Sequence, residues 1–199
     1  MKHVIKTLFF MLFALLAAPL TLAYLCLRLV LDKDELIASF SQLLALIPGK
    51  LGSFIRTGFY RFTLTCCHPN SRISFLVLFS QQDTELHEGI YIGPQCNIGR
   101  CVIKEDTLLG SGVHIMSGKK QHNFSDSDVP IRDQGGTFEK VTIGKNCWVG
   151  NGALIMANVG DNSVVAAGAV VINDVPDNCL LYTSPSPRDL STSRMPSSA

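Results

Sequence analysis

Aliphatic residues followed by a small residue recur at about six-residue intervals from Tyr91 onward. Such pairs occur before a break at Ile92-Gly93, Ile98-Gly99 and Leu109-Gly110, and after it at Ile143-Gly144, Val149-Gly150, Val159-Gly160 and Val165-Ala166. A helix would show apolar spacings of three and four, and an ordinary strand would alternate. A hexapeptide period instead predicts a parallel β-helix, whose coils must stack to bury their apolar faces. We assign residues 71–178 to this all-β core.

The period breaks between residues 117 and 140, a segment rich in Ser, Asp, Gly and Lys that also contains Pro130. Long structureless segments in compact domains are usually functional or disordered. Because this one contains His122, we predict a functional loop that leaves one coil of the β-helix.

The N-terminus begins with an uncharged stretch, Thr7 to Leu27, composed mostly of Leu, Phe and Ala. About 20 such residues span the hydrocarbon core of a bilayer as a helix. We predict a membrane anchor over residues 1–35, because apolar residues continue to Leu31. A cleaved signal peptide is the alternative, since small residues surround Ala23.

Residues 36–70 form an amphipathic segment next to this anchor. Leu36 to Ile47 is apolar, and Gly49 and Gly52 are predicted to break it. Aromatic residues then alternate with Arg56 and Arg61, a pattern that suits the lipid headgroup layer. An amphipathic helix packed under the β-helix explains it equally well, and the two interpretations are compatible.

Charge and cysteine usage exclude several classes of protein. The formal net charge is +1, and no clustered basic face indicates nucleic acid. The seven cysteines include no Cys-x-x-Cys pair, so neither a metal knuckle nor a disulfide scaffold is indicated. Cys96, Cys101 and Cys147 lie within hexads, where we expect them to pack as small apolar residues.

The last 21 residues differ abruptly in composition from the repeats. Residues 179–189 read CLLYTSPSPRD and residues 193–199 read SRMPSSA. Both resemble translated sequencing adapters, so we expect residues 179–199 to be non-native and the natural chain to continue differently. A disordered Ser/Pro tail is the alternative.

Residues 91–178 resemble the hexapeptide-repeat acyltransferases, whose parallel β-helix is left-handed. The greatest similarity is to membrane-associated O-acetyltransferases of polysaccharide and lipopolysaccharide synthesis and to the maltose and galactoside acetyltransferases. Residues 43–61 show a weaker resemblance to the membrane-proximal part of some polysaccharide enzymes. The main resemblance is carried by GVHIMSGKKQHNF (112–124), PIRDQGG (130–136), VTIGKNCWVGNGALI (141–155) and VVAAGAVVINDVPDN (164–178).

The resemblance implies O-acetyl transfer from acetyl-CoA, without a metal, to a hydroxyl of a sugar or cell-surface glycan precursor. His122 matches the catalytic histidine of the family, and imidazole suits a general base near neutral pH. Acceptor-binding candidates are Asn123, Asp126, Gln134 and His114. For Asn123, Asp126 and Gln134, the alternative is that these polar side chains only cap the loop itself. For His114, the alternative is an ordinary position on a face of the β-helix.

The resemblance also assigns the cofactor positions. Trp148 matches an aromatic residue beside the coenzyme A groove, and the remaining matches are Gly150, Asn151, Ala167, Gly168 and Asn173. Ile172-Asn173 departs from the Thr-Lys of many relatives, so the lysine that commonly meets the cofactor's phosphate is missing. The family further implies a homotrimer. Because acetyl-CoA is cytosolic, we expect the β-helix on the cytoplasmic side of a bacterial inner membrane.

Two other classes of protein are compatible with a β-helix. Carbonic anhydrases of the γ class bind zinc through three histidines on this fold, and His87, His114 and His122 lie in or near the repeats. Their spacing does not match that family. A non-catalytic β-helix serving as an assembly scaffold is the second alternative, and it would not bind coenzyme A.

Overall fold

The structure, a computed structural model, describes residues 2–181. Three helices come first, namely α1 (Lys2–Leu27), α2 (Lys33–Ala45) and α3 (Gly49–Thr63). Fifteen short strands follow within the described range: β1 (Cys66–Cys67), β2 (Arg72–Ile73), β3 (Leu78–Phe79), β4 (Glu85–Leu86), β5 (Tyr91–Ile92), β6 (Asn97–Ile98), β7 (Cys101–Ile103), β8 (Leu108–Leu109), β9 (His114–Ile115), β10 (Val141–Ile143), β11 (Trp148–Val149), β12 (Leu154–Ile155), β13 (Val164–Val165), β14 (Val170–Val171) and β15 (Leu180–Leu181).

The strands wind into a parallel β-helix of about six turns with three flat faces. Face A contains β1, β4, β7 and β10, face B contains β2, β5, β8, β11, β13 and β15, and face C contains β3, β6, β9, β12 and β14. From β1 to β12, successive strands lie on successive faces. In the later coils of the described range, face A is reached only by the isolated bridges of Val159 and Val175. This confirms the predicted fold, and the architecture agrees with the left-handed form of the β-helix.

The narrow core contains the aliphatic residues that the hexad period predicted to point inward. All eleven are buried: Ile92, Ile98, Ile103, Leu109, Ile115, Ile143, Val149, Ile155, Val159, Val165 and Val171. Cys96, Cys101 and Cys147 are buried among them. Burial raises the pKa of the Cys101 thiol to about 12, so this thiol is not a nucleophile near neutral pH.

The β-helix is longer at both ends than residues 71–178. It starts at Cys66 because Cys67, Ile73 and Phe79 already follow the six-residue period and are buried. Neither Gly nor Ala follows them, since the next residues are His68, Ser74 and Ser80, and so the pattern was detected only from Tyr91. At the other end β15 pairs with β13, so residues 179–181 continue the coil. The rest of the adapter-like segment, residues 182–199, lies outside the described residues.

Helix α1 has one face packed on the protein and an opposite face exposed. Phe13, Ala17 and Tyr24 are buried, and the Tyr24 ring centroid lies 5.8 Å from that of Phe59 in α3. A Cβ at Gly58 would lie 2.7 Å from the Phe13 carbonyl oxygen, so glycine permits the close helix crossing. Leu8–Leu27 is 20 residues long with a mean hydropathy of 2.2, which by length and composition would suffice to cross a membrane.

Helices α2 and α3 pack on the first coil of the β-helix. Ser41 Oγ in α2 accepts a hydrogen bond from the Phe79 backbone N–H at 2.8 Å, and α3 lies against β1 and β2. The apolar stretch from Leu36 to Ile47 is interrupted as predicted, since α2 ends at Ala45 and a new helix begins at Gly49. Gly49 and Gly52 themselves lie in the first turn of α3. Gly52 is needed there because a Cβ would clash with the Ile47 carbonyl group.

A buried arginine joins these elements. The side chain of Arg56 in α3 is fully buried. Its Nη1 donates to the carbonyl oxygens of Leu44 at 3.0 Å and Ile47 at 2.8 Å, where α2 ends. Its Nε donates to the Ile73 carbonyl oxygen in β2 at 3.2 Å. Burial lowers the pKa of Arg56, and among the described residues it has no carboxylate partner, so carbonyl dipoles alone compensate its charge.

We predict that Arg56→Met will destabilise the protein by about 3 kcal/mol or more, because it leaves three carbonyl groups without their donor. Denaturant unfolding of the detergent-solubilised chain measures the effect. Arg61→Met is the matched control on the same helix, since Arg61 is exposed. Equal stability of the two variants would contradict the role assigned to Arg56.

Candidate functional site

The excursion loop, residues 117–140, leaves face C after β9 and returns to face A at β10. Its two arms pair with each other, since the Glu139 N–H donates to the Ser117 carbonyl oxygen at 2.9 Å and the Thr137 N–H to that of Lys120 at 2.7 Å. The loop is therefore a folded hairpin at the corner between faces C and A, and it contains a short 3-10 helix, Ile131–Asp133.

Gln134 organises the tip of this loop. Its Nε2 donates to the carbonyl oxygens of Asp126 at 2.6 Å and Val129 at 2.7 Å, and its Oε1 accepts from the Asp126 N–H at 3.2 Å. Asn123 Nδ2 donates to the Gln134 carbonyl oxygen at 3.1 Å. The structure thus places Asn123, Asp126 and Gln134 together as residues that hold the loop, which is the capping alternative left open by the sequence.

His122 is exposed on the loop beside these residues. A Cβ at Gly136 would lie 2.8 Å from the His122 backbone nitrogen, so the returning arm passes directly against the histidine's backbone. The preceding residue, Gln121, lines a cavity of about 420 Å³ on face C. The loop thus meets this cavity through Gln121, and His122 follows it as an exposed residue whose backbone is held by the returning arm.

His114 lies on the floor of the face C cavity. Its Nδ1 is 3.1 Å from Asn97 Nδ2, its neighbour in the strand ladder. Phe138 from the loop and Gln42 from α2 form opposite walls. The cavity therefore brings His114 close to the base of the His122 loop.

The corner between faces B and C carries most of the predicted cofactor positions. Gly112, Gly152 and Gly168 follow one another along this corner with φ of 67°, 68° and 70°, and we call them the glycine ridge. A Cβ at Gly152 or Gly168 would meet nothing within 4 Å. Glycine is therefore favoured at these positions by the left-handed φ and not by crowding. Because no side chain covers them, the ridge forms an open strip of backbone along the β-helix.

Asn151 and Gly150 stabilise the coils under the ridge. Asn151 Oδ1 accepts from the Ser111 N–H at 3.0 Å, and its carbonyl oxygen accepts from the Gly168 N–H at 2.8 Å. A Cβ at Gly150 would clash with the backbone of Ala167 in the next coil. Gly150, Asn151, Ala167 and Gly168 are thus brought together at one corner, and Gly150 has a packing role of its own.

Trp148 and Asn173 lie apart from this corner. Trp148 is on face B, 57% exposed, between Leu108 and Val164 in the ladder. Asn173 is at the corner between faces C and A, where it lines a cavity of about 490 Å³ with Lys119. Lys119 Nζ donates to the Ile172 carbonyl oxygen at 3.1 Å, so a loop lysine reaches the position where relatives have Thr-Lys.

An ionic cluster fixes the returning arm of the loop to the first coils. Lys140 Nζ donates to Asp83 Oδ1 and Glu85 Oε1 at 2.6 Å each, and Arg100 Nη2 donates to Asp83 Oδ2 at 2.7 Å. Arg100 Nη1 also donates to the Phe138 carbonyl oxygen at 3.1 Å. We call these four charged residues the loop clamp. The hydrogen bond from Lys140 lowers the pKa of Asp83 to about 2.

The three histidines considered as zinc ligands are separated within the chain. His87 contacts Glu105 through its Nδ1 at 2.9 Å, His114 lies on face C, and His122 is on the loop. Among residues 8–181, no group of three or more His, Cys, Asp or Glu side chains could hold a metal ion.

Sequence reasoning missed the loop clamp, the glycine ridge and the face C cavity. The ridge had a signal, because Gly-x-Gly occurs at 110–112 and again at 150–152 before a buried residue. The clamp had none, since its residues are up to 57 positions apart. The cavity had none either, because α2, the loop and face C form it together.

No protein-family model matches this sequence, and a comparison with curated protein sequences finds no match. Solved structures do match. A maltose O-acetyltransferase from Clostridium difficile 630 superposes with a TM-score of 0.60 at 18% identity, over 75% of this chain and 82% of that one. A hexapeptide-repeat containing acetyltransferase from Vibrio cholerae gives 0.53 at 20%, over 76% and 88%. This chain has the fold of the hexapeptide-repeat acetyltransferases.

A further match is AntD, an N-acyltransferase from Bacillus cereus, with a TM-score of 0.45 and 16% identity. The match covers 54% of this chain and 62% of AntD, so this chain spans less than two thirds of AntD's length.

We predict that Asp83→Asn will release the returning arm of the loop. Because the pKa of Asp83 is depressed, its contribution to stability is present above its ordinary value of 3.8 and is lost as the pH falls through about 2. The wild type should therefore melt above the variant at pH 6, and the gap should close between pH 4 and 2. Amide exchange at residues 137–140 locates the change.

The matched control is Asp133→Asn, since Asp133 pairs only with its neighbour Arg132 on the exposed tip. A gap between wild type and Asp83→Asn that did not depend on pH would show that the carboxylate charge is not what holds the loop.

Proposed function

We propose that this protein is an acetyl-CoA-dependent acyltransferase that acetylates a hydroxyl of a sugar or cell-surface glycan precursor. The observation that carries the proposal is the arrangement around face C. The His122 loop borders this face along one corner, and the open glycine ridge borders it along the other. The names of the two structures that superpose best among those described, both acetyltransferases, support the same reaction.

The proposed reaction needs a base, an acyl donor in a groove and an acceptor, but no covalent enzyme intermediate. His122 takes the proton of the acceptor hydroxyl as the oxygen attacks the thioester carbonyl. The tetrahedral intermediate then collapses, the carbon–sulfur bond breaks, and the coenzyme A sulfur leaves with the proton held by the imidazole. The pantetheine arm lies along the glycine ridge, where a side chain would obstruct it.

A homotrimer would bring these parts together. Within one chain the loop and the ridge lie on different corners of the β-helix, so the loop of one copy would serve the ridge of the next. Face B provides a self-association surface, because Leu108, Trp148 and Leu180 are exposed on it at 43%, 57% and 52%. Burying such an apolar stripe favours association.

Helix α1 would hold the enzyme at a membrane. Its exposed face includes Leu8, Leu12 and Leu15, which are 61%, 51% and 70% exposed. An acceptor carried on a lipid would then meet a catalytic domain that faces the cytosol, where acetyl-CoA is made. We therefore propose that the protein lies at a bacterial inner membrane with the β-helix on the cytoplasmic side.

We predict that His122→Ala will bind acetyl-CoA as the wild type does but lose about 100-fold or more in kcat, the usual contribution of a general base. Calorimetry measures binding, and thiol release with a panel of sugars measures turnover. His68→Ala is the control, because His68 lies in the first coil and its ring only accepts from the Asn70 N–H. If the wild type bound no acetyl-CoA, the transferase proposal would fail and the scaffold alternative would replace it.

We predict that Gly168→Asn will weaken coenzyme A binding about tenfold or more, equivalent to ~1.4 kcal/mol, while the protein stays folded. Asparagine tolerates the left-handed φ of Gly168, as Asn146 and Asn162 do at other corners, but it places a side chain on the ridge. Gly49→Asn is the matched control, since Gly49 has a φ of 71° and open space around it. Unchanged binding by Gly168→Asn would remove the ridge from the cofactor site.

A further inference from the structure

A second large cavity, of about 640 Å³, lies between the N-terminal helices and the first coils of the β-helix. It is separate from the His122 loop and the glycine ridge. Its walls come from three parts of the chain: Phe9 and Phe10 of α1, Lys50 and Phe54 of α3, and Arg72 and Tyr91 of face B.

The polar side of this cavity is basic. Lys50 and Arg72 are both exposed, and neither forms an ion pair within residues 8–181. No acidic residue lines the cavity, whereas Ser53 and Asn70 add polar side chains. Two unpaired cations without an acidic neighbour favour an anionic ligand, and a phosphate group accepts hydrogen bonds from both.

The other side of the cavity is aromatic and leads to the apolar surface of α1. The ring centroids of Phe9 and Phe54 are 4.7 Å apart in an edge-to-face arrangement. Phe9 is 39% exposed and lies on α1 beside Leu8 and Leu12, whose side chains are more exposed. A ligand with an anionic head could therefore leave the cavity along a continuous apolar surface.

We propose that this cavity binds the phosphate headgroup of an anionic membrane lipid. Lys50 and Arg72 neutralise the phosphate, and the acyl chains lie against Phe54, Phe9 and the exposed face of α1. A free anion would need only the cations, whereas the aromatic wall next to a membrane helix fits an amphiphile. The inference rests on the proposed membrane association of α1 and is independent of acyl transfer.

The test uses the full chain in a nonionic detergent, titrated with dioctanoyl phosphatidic acid, dioctanoyl phosphatidylcholine or inorganic phosphate. Native mass spectrometry counts bound lipid, and thermal unfolding gives the apparent affinity. The variant is Lys50→Gln with Arg72→Gln, and Arg72→Gln alone is the second variant. The matched control is Lys33→Gln with Arg61→Gln, which removes the same charge from α2 and α3 outside the cavity.

We expect the wild type to bind phosphatidic acid about tenfold more tightly than phosphatidylcholine, as two basic residues near an anionic headgroup predict. The double variant should lose this preference, Arg72→Gln should lose part of it, and the control should keep it. Equal losses in the double variant and the control would show net-charge attraction and overturn the proposal. Inorganic phosphate binding as tightly as the lipid would overturn it too, in favour of a soluble anion.

Because these measurements use micelles, they do not require α1 to cross or enter a bilayer. The membrane assignment is tested separately by washing membranes with alkaline carbonate. Release of the protein would contradict the assignment without affecting the lipid measurements.

Discussion

Burial of the Arg56 guanidinium is the interaction on which the arrangement of the N-terminal half depends. Charged donors to carbonyl oxygens contribute about 1.5–3 kcal/mol each, but only when the geometry is maintained, since the same charge without partners is strongly destabilising inside a protein. Its three acceptors belong to the end of α2, the segment after it and the first coil. Any rotation of the helices relative to the β-helix would leave the guanidinium unpaired.

The position of the helices in turn determines which cavities form on the surface of the β-helix. Packing of α2 on face C provides one wall of the cavity that contains His114. Packing of α1 on α3 places an apolar helix beside face B, next to two cations. Helix α1 and the candidate functional site are therefore connected through packed elements rather than by a linker.

The fold could be predicted from the sequence because a hexad repeat has few solutions. Each inward residue from Ile92 to Val171 had to be apolar, and each corner had to accept a tight turn. The first coil escaped detection because Cys67, Ile73 and Phe79 are not followed by the Gly or Ala that marks the later corners. Helix α3 agrees with the amphipathic helix that the sequence allowed, but the close approach of Gly52 to Ile47 could not be predicted, because it depends on how α3 packs on the end of α2.

The candidate site was less predictable, and the reasons are physical. The corner residues from Gly150 to Gly168 are brought together by coil stacking, which follows from the period. Asp83 and Lys140 meet only because the loop, after leaving face C, joins face A next to β7 and in the same sheet as β4, and no local pattern encodes such a contact. The cavity beside Phe54 likewise depends on the docking angle of α1, which helix periodicity does not specify.

The excursion loop also has a consequence for how the chain reaches its native state. In most neighbouring coils the paired residues are about 16 positions apart in sequence, as Ile143 and Val159 are. In contrast, β7 and β10 pair Val102 with Thr142 across the excursion loop. Closing this longer loop costs about 0.8 kcal/mol more in chain entropy. The coils before the loop and the coils after it can therefore stack independently. The pairing of β7 with β10, which is the seam between these two groups of coils, would form last. At this seam the arm of the excursion loop that follows His122 joins face A, so the loop would reach its folded position only when the solenoid becomes continuous.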